Sequence, residues 1–463
     1  MQTHATLLEV TNPADGGAVG ELLCTDAAGA RAAADAAAAA FEQWSRSPAR
    51  TRADVLLRTS AALIDQADEL GLLLARETGK RLPEAVGEIR FAAEYFRWFA
   101  EEARRPAGQL IPAEAGRRRH HTLARAVGVA VCLTPWNFPV SIQARKIAPA
   151  LAAGCTVLAR PSEKAPLAVA RMFELMHEAG VPEGAANLVI GPAAELTEAL
   201  IAHAAVRVVS FTGSTTVGRS ILKLAAERVV RPLMELGGDA PFIVFADGDL
   251  DRAVEGAMLA KFRNNGQSCI AANRFYVEAP VYEEFTRRFT ARVDAMTIGD
   301  PVVAPIPDLG PLIDAGRKRA VAELVAEARG LGARLLTAER EELDGSFMAP
   351  ALLSGVPAGA RLSCEEVFGP AAAIFRFEHE EEAVTAANAT EMGLAGYLYT
   401  GSIDRALRLQ EQIEVGILGL NNALPSVAFA PMGGWKQSGL GREGARQGLE
   451  EYQELTYVST ELA

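Results

Sequence analysis

Ala126-Val-Gly-Val-Ala-Val-Cys-Leu133 is an apolar run with no charged residue and no alternation. A strand wetted on one face alternates apolar with polar residues, whereas a strand covered on both faces does not. The run therefore reads as a parallel strand buried in an α/β layer. Comparable runs recur at Thr156–Ala159, Asn187–Ile190 and Arg207–Phe211, with helical stretches between them. That alternation predicts an α/β domain with a parallel sheet. Pro241-Phe-Ile-Val-Phe245 opens a second series, continued at Arg274–Glu278, Ala371–Phe377 and Gly396–Thr400. Gly237-Gly238 followed by Pro241 interrupts the first series and places a domain change near Glu235–Gly238.

Upstream, Asn12–Gly17 reads as a turn between two short extended segments, and the Ala-rich Asp26–Trp44 as a helix. Thr51–Glu77 has the spacing of further amphipathic helix. Pro83–Arg104 sets Phe91, Tyr95, Trp98 and Phe99 at helical spacings, a stripe expected in the core. Ile111–Arg125, with Pro112, Gly116 and alternating polar residues, suggests a projecting hairpin. Leu455–Ser459 is an extended terminal strand in need of a partner.

Composition bounds the function. With 463 residues, 49% apolar and 22% charged, the chain fits an ordinary globular protein of two or three domains. A net charge of −12 argues against a nucleic-acid surface, and the basic run Arg117–His121 is short and without aromatics. There is no long apolar stretch for a membrane span, and Met1–Thr6 has no basic and apolar export pattern. Cysteines 24, 132, 155, 269 and 364 form no metal-binding pattern, which excludes the usual zinc sites and points to a reducing, cytoplasmic compartment.

Four stretches carry chemistry. Cys269 follows Asn264-Asn-Gly-Gln-Ser268 at a junction between a helical run and the strand-like Arg274–Val277. Free backbone N–H groups can meet a ligand at such a junction; the alternative is a buried structural cysteine. Phe211-Thr-Gly-Ser-Thr-Thr-Val-Gly218 joins a strand to the helical Arg219–Arg228, where a small-residue turn can hold a pyrophosphate. Thr134-Pro-Trp-Asn-Phe-Pro139 fixes Asn137 between prolines, as an oxyanion donor or as a turn residue capping its own backbone. Glu235, before Gly237-Gly238, can reach a cleft between domains or remain a solvated carboxylate. The literal Gly439-Leu-Gly441-Arg-Glu-Gly444 follows no strand and is no dinucleotide signature.

Pro135–Pro139, Phe211–Thr215 with Val217-Gly218, Glu235–Gly238, Gly266–Cys269, Glu365–Pro370 and Pro431–Glu443 stand together in order. In that set the whole chain resembles the aldehyde dehydrogenase superfamily. The resemblance implies an α/β fold with a Rossmann-type cofactor domain (1–110 and 128–235), an α/β catalytic domain (236–431) and a small β oligomerisation arm (111–127 and 445–463). Residues 432–444 would return to the cofactor domain. It implies NAD(P)-dependent oxidation of an aldehyde to an acid by a homodimer or homotetramer. Cys269 would be the nucleophile and Glu235 the base. Asn137, with the Cys269 N–H, would form the oxyanion hole. Trp136, Gly213, Ser214, Val217 and Leu236 would line the dinucleotide, and Glu366 would hold the nicotinamide ribose beside Phe368. Glu235 also speaks against acyl transfer to coenzyme A.

Arg160-Pro-Ser162-Glu163 departs from the family, which usually has Lys at the first position. Glu163 matches the carboxylate for the adenosine ribose. It would repel a 2′-phosphate by up to about 4 kcal/mol at 4 Å and a dielectric of 20. Arg160 offsets part of that, so NAD is expected and NADP remains possible. Lys261–Arg274 most resembles succinate-semialdehyde dehydrogenases, in which two arginines and a serine hold the distal carboxylate. Arg145, Arg263 and Ser426 fall on those positions, against a structural ion pair as the alternative for each arginine. Ala271 stands where many such relatives carry a second cysteine. The expected substrate is succinate semialdehyde. Other aldehydes (glutarate semialdehyde, sulfonated, phosphonated, aliphatic or aromatic) are rivals within the class, and a catalytically inactive homologue or a thiol hydrolase are rivals outside it.

Overall fold

The computed structural model describes residues 6–105, 107–114 and 116–462. Two parallel-rich sheets and a small antiparallel one organise them. The first large sheet runs in the order Gly439–Leu440, Arg231–Glu235, Val206–Thr212, Val129–Leu133, Thr156–Arg160, Ala186–Leu188. All but the first of these neighbours pair in parallel. The chain starts in the middle at Val129–Leu133, winds outward one way, then returns to Val206–Thr212 on the other side. That reversal is the switch point at which open α/β sheets bind ligands, beyond the carboxyl ends of the strands. Thr134–Asn137 and Gly213–Ser214 leave the sheet there.

The apolar run that begins at Ala126 is divided in two. Arg118–Ala126 belongs to the small sheet, Gly128 turns the chain at φ 142°, and only Val129–Leu133 enters the large one, every residue buried. Thr51–Glu77 is likewise two helices, Ala49–Asp65 and Ala67–Thr78, meeting at Gln66. The Ala-rich helix is Ala27–Trp44, capped by Asp26 accepting from Gly29 N at 2.7 Å. Its alanines allow close packing, with Ala30, Ala34 and Ala37 fully buried. In Leu82–Glu102, Tyr95 and Phe99 are core while Phe91 and Trp98 are half-buried.

The second large sheet orders Arg334–Leu335, Ala351–Ser354, Ala371–Phe377, Ala272–Glu278, Ala240–Val244, Ala395–Tyr399 and Ile417–Leu420. Its first strand by sequence follows Glu235 by only a few residues, so Leu236–Asp239 is the hinge of chain between the two sheets. The small sheet pairs Gln453–Glu461 with Arg118–Ala126 over their full length, and the latter with Leu110–Ile111. The terminal strand thus finds its partner within its own chain. The sheet leaves Leu110, Leu455 and Tyr457 exposed.

Candidate active site

Cys269 lies one turn beyond the helix Leu250–Phe262 and the short 3₁₀ turn Arg263–Gly266, just before the strand Ala272–Glu278. Asn264, Asn265 and Gly266 all take left-handed backbone, at φ 53°, 58° and 75°. Asn and Gly tolerate that region best, which accounts for the Asn-Asn-Gly sequence. Their side chains lock the turn. Asn265 donates to Pro311 O at 2.9 Å and accepts from Gly310 N at 2.8 Å. Asn264 donates to Asn137 O at 2.9 Å and Gln267 O at 3.1 Å. Behind the cysteine, a Cβ on Gly238 would stand 2.1 Å from Cys269 O, so the hinge approaches the nucleophile loop as only glycine allows.

Glu235 ends its strand with the side chain buried and Oε2 without a hydrogen-bond partner among the described residues. Burial and the nearby Glu443 push its carboxyl up to about 7, against the pull of Arg145 and Lys146. Cys269 is half-buried; burial and the carboxylates of Glu235 and Glu366 push its thiol up to about 12. Asn137 is buried, its Nδ2 donating to Gln267 O at 3.1 Å. An amide nitrogen carries two protons, so one donor remains to be placed.

Cys269 and Asn137 face a cavity of about 210 Å³ also lined by Trp136, Gly213, Ser214, Leu236, Glu366 and Phe368. Trp136 meets Phe368 edge-on at 5.4 Å, and Phe368 holds a left-handed φ of 48°. Glu366 accepts from Gly238 N at 3.2 Å, and burial pushes it up to about 7. Ser214 caps the helix Thr215–Ala226 through Val217 N at 3.4 Å. This donor set fits the nicotinamide end of a dinucleotide: two aromatic walls, a carboxylate for hydroxyls and a helix N-terminus. Val217 itself is half exposed on that helix, outside the cavity lining. Arg160, Ser162 and Glu163 stand apart, past the end of Thr156–Arg160. There Arg160 is ion-paired with Glu163 and donates to Gly191 O at 3.1 Å.

The three substrate candidates divide into two places. Arg145 is buried and held by Glu443 (Nε to Oε2 2.6 Å), with its NH1 against Met432 Sδ. Ser426 Oγ reaches the same sulfur at 3.7 Å. Arg263 sits over the Phe138 ring at 5.0 Å, with no ion-pair or hydrogen-bond partner for its guanidinium among the described residues. Arg145 therefore has a close counter-ion in Glu443, whereas Arg263 makes no ion pair among the described residues and has only the field of the buried Glu84.

Several residues were given no role by the sequence, Glu443 standing only as the last residue of Pro431–Glu443. Arg317 lines the cavity within the field of Glu366, and Glu443 binds both Arg145 and Lys146. Lys80 and Glu88 are buried beneath Asn137. A buried charge is distinguished from a surface one only by its packing, which no local pattern encodes. A larger groove of about 710 Å³ lies between Leu250–Phe262 and Ala279–Asp294, but its Arg288 and Arg292 are already paired with Asp251 and Glu255.

The sequence pattern of the aldehyde dehydrogenase family matches residues 1–458. The 3-sulfolactaldehyde dehydrogenase of Pseudomonas putida is 45% identical, over 97% of this chain and 92% of that protein. The succinate-semialdehyde dehydrogenase (NADP(+)) of Escherichia coli (strain K12) is 42% identical, over 97% and 94%. Among solved structures, betaine aldehyde dehydrogenase from Staphylococcus aureus in complex with NAD+ superposes at a TM-score of 0.95, with 33% identity, covering 98% of this chain and 92% of that one. No helix among the described residues is long and apolar enough to cross a membrane.

Proposed function

The chain belongs to the aldehyde dehydrogenase family and oxidises an aldehyde with NAD(P), and on that premise we propose a small anionic semialdehyde as its substrate, in the first place succinate semialdehyde. The observation that carries this is Arg263. A half-buried guanidinium on an aromatic ring, making no ion pair or hydrogen bond among the described residues and with only the field of Glu84 to offset it, suits a substrate carboxylate. It stands six residues from Cys269, and Tyr397 lies within the field of both.

Cys269 is the proposed nucleophile. With its thiol pushed up to about 12, it rests protonated, so attack on the aldehyde carbon needs a proton acceptor. Glu235, anionic above about 7, accepts that proton, releases it to solvent, and as a carboxylate again takes a proton from the water that attacks the thioester. The remaining Asn137 N–H and the Cys269 N–H stabilise the oxyanion of the thiohemiacetal. The bound nicotinamide supplies the hydride acceptor. Trp136, Gly213, Ser214, Leu236, Glu366 and Phe368 would hold that end of the cofactor. Arg160, Ser162 and Glu163 would hold the adenosine end, with NAD preferred, and Val217 would flank the phosphates.

The domains are assigned as 1–110 with 128–235, 236–431, and an arm of 111–127 with 445–463, residues 432–444 returning to the first. Supporting this, the strand Gly439–Leu440 pairs with Arg231–Glu235. The exposed apolar side chains of the arm sheet support a homodimer or homotetramer, and five free cysteines suit the cytoplasm. A second reading, a sulfonated aldehyde, is favoured by the 45% identity to the 3-sulfolactaldehyde enzyme. Measuring kcat/KM for succinate semialdehyde, glutarate semialdehyde, a sulfonated aldehyde and butanal with both cofactors decides among them. A preference for butanal would remove the anionic-substrate assignment.

A further inference from the structure

Lys80 follows the helix Ala67–Thr78 and its left-handed cap Gly79, and is completely buried. Its ammonium group is ion-paired with Glu88, donates to Asn137 O at 2.8 Å, and lies over the Phe138 ring at 4.2 Å. Glu88 Oε1 accepts from Val140 N at 3.0 Å and Ser141 N at 3.1 Å, in the first turn of Pro139–Ala153. One ion pair thus holds Asn137, Phe138 and the helix start that follows them. Asn137 O is shared with Asn264 Nδ2, and Phe138 is the ring on which Arg263 rests.

A buried ion pair is weak evidence of stabilisation, because desolvation offsets its attraction. Its value here is geometric. We propose that Lys80, fixed by Glu88, is a positioning residue for both ends of the substrate site. Through Asn137 it sets the oxyanion donor, and through Phe138 it sets the platform that aims Arg263 at the distal anion. The role presupposes Asn137 as the oxyanion donor, as assigned above.

The paired change Lys80→Met with Glu88→Gln keeps the volume and strands no charge. With butanal it should lower kcat by roughly 10- to 100-fold, the scale for displacing a reacting group by about an ångström. The KM for NAD should stay within about twofold, by analogy with losses confined to the transition state. In an Asn137→Ala background the same change should cost under about threefold, since coupled residues are not additive. Succinate semialdehyde should lose a further factor of about 10 in kcat/KM, and that excess should vanish in an Arg263→Ala background. If the pair fails to fold, Glu88→Gln alone, which retains its acceptor oxygen, is put through the same cycle. Losses that add fully in the Asn137→Ala background, with Asn137→Ala itself costly, would overturn the role of Lys80 alone. A harmless Asn137→Ala would remove the oxyanion assignment and the role of Lys80 with it.

Discussion

Arg145 Nε lies 2.6 Å from Glu443 Oε2, and the other oxygen of the same carboxylate takes Lys146 and Ser210. Against the effect of burial, Lys146 and Arg145 hold Glu443 below the usual carboxylate range, while its charge raises Glu235 nearby. Arg145 is thus part of the electrostatic setting of the base.

The two arginines should respond differently to removal. Arg263→Ala should cost about 2–5 kcal/mol in kcat/KM for succinate semialdehyde, roughly 30-fold or more, and little for butanal. Arg145→Ala withdraws a cation that lowers Glu235 and leaves Glu443 with Lys146 alone. It should therefore slow both aldehydes together and move the acid limb of the rate profile to higher pH. Equal losses on both substrates in Arg263→Ala would make that arginine structural as well.

The fold was legible where periodicity is strong. Alternating buried strands and helices, and the break at Gly237-Gly238, foretell two sheets and the hinge between them. What failed was local: Gly128 was read as part of one strand, although its φ of 142° parts two sheets. Gln66 gave no punctuation at all between two helices. At the site, Cys269 and Asn137 were legible because turn residues and prolines fix backbone there, Glu366 and Phe368 only through the family resemblance, and all four line one cavity. Lys80, Glu88 and Arg317 were not, and Glu443 was legible only as part of Pro431–Glu443, since each acts across a long stretch of chain. Arg145 and Arg263 looked equivalent by spacing, and only Glu443 tells them apart.

Cofactor choice should turn on the Arg160–Glu163 pair. The ion pair spends part of the negative charge of Glu163, which softens its repulsion of a 2′-phosphate. NAD should still give the higher kcat/KM, and Glu163→Ser, which frees Arg160 to meet a phosphate, should narrow or reverse the ratio. A wild-type preference for NADP, measured as the ratio of kcat/KM values, would mean Arg160 outweighs Glu163.

Stability should carry the mark of Glu77. Fully buried, it caps the helix Leu167–Glu178 by accepting from Leu167 N at 2.8 Å and Ala168 N at 3.1 Å. Burial raises its carboxyl to about 8, above the ordinary 4.5. The folded state therefore keeps a proton that the unfolded chain sheds. That contribution is full below about 4.5 and is lost as pH rises through about 8. Glu77→Gln cannot titrate, so its stability in denaturant should fall less steeply than wild type between pH 5 and 8. Parallel profiles would mean that Glu77 titrates normally.

Cys269→Ala should abolish dehydrogenase turnover, because no other group at the cavity forms the thioester. Glu235→Gln separates the two jobs given to that carboxylate. The thiol can still lose its proton to water, so acyl-enzyme should form, more slowly than in wild type because the thiol is pushed up to about 12. Hydrolysis then lacks its base and should fall by roughly 10²- to 10⁴-fold. Stopped flow should show one slow equivalent of reduced cofactor per site and little steady-state rate. In wild type, kcat/KM should fall about tenfold per pH unit below about 7, where Glu235 gains its proton. In the pre-steady-state burst of Glu235→Gln the break near 7 should be missing, the rate instead climbing with pH as more thiolate forms. Full turnover in Cys269→Ala would remove it as nucleophile, and full turnover or an unchanged break near 7 in Glu235→Gln would assign the base to another residue.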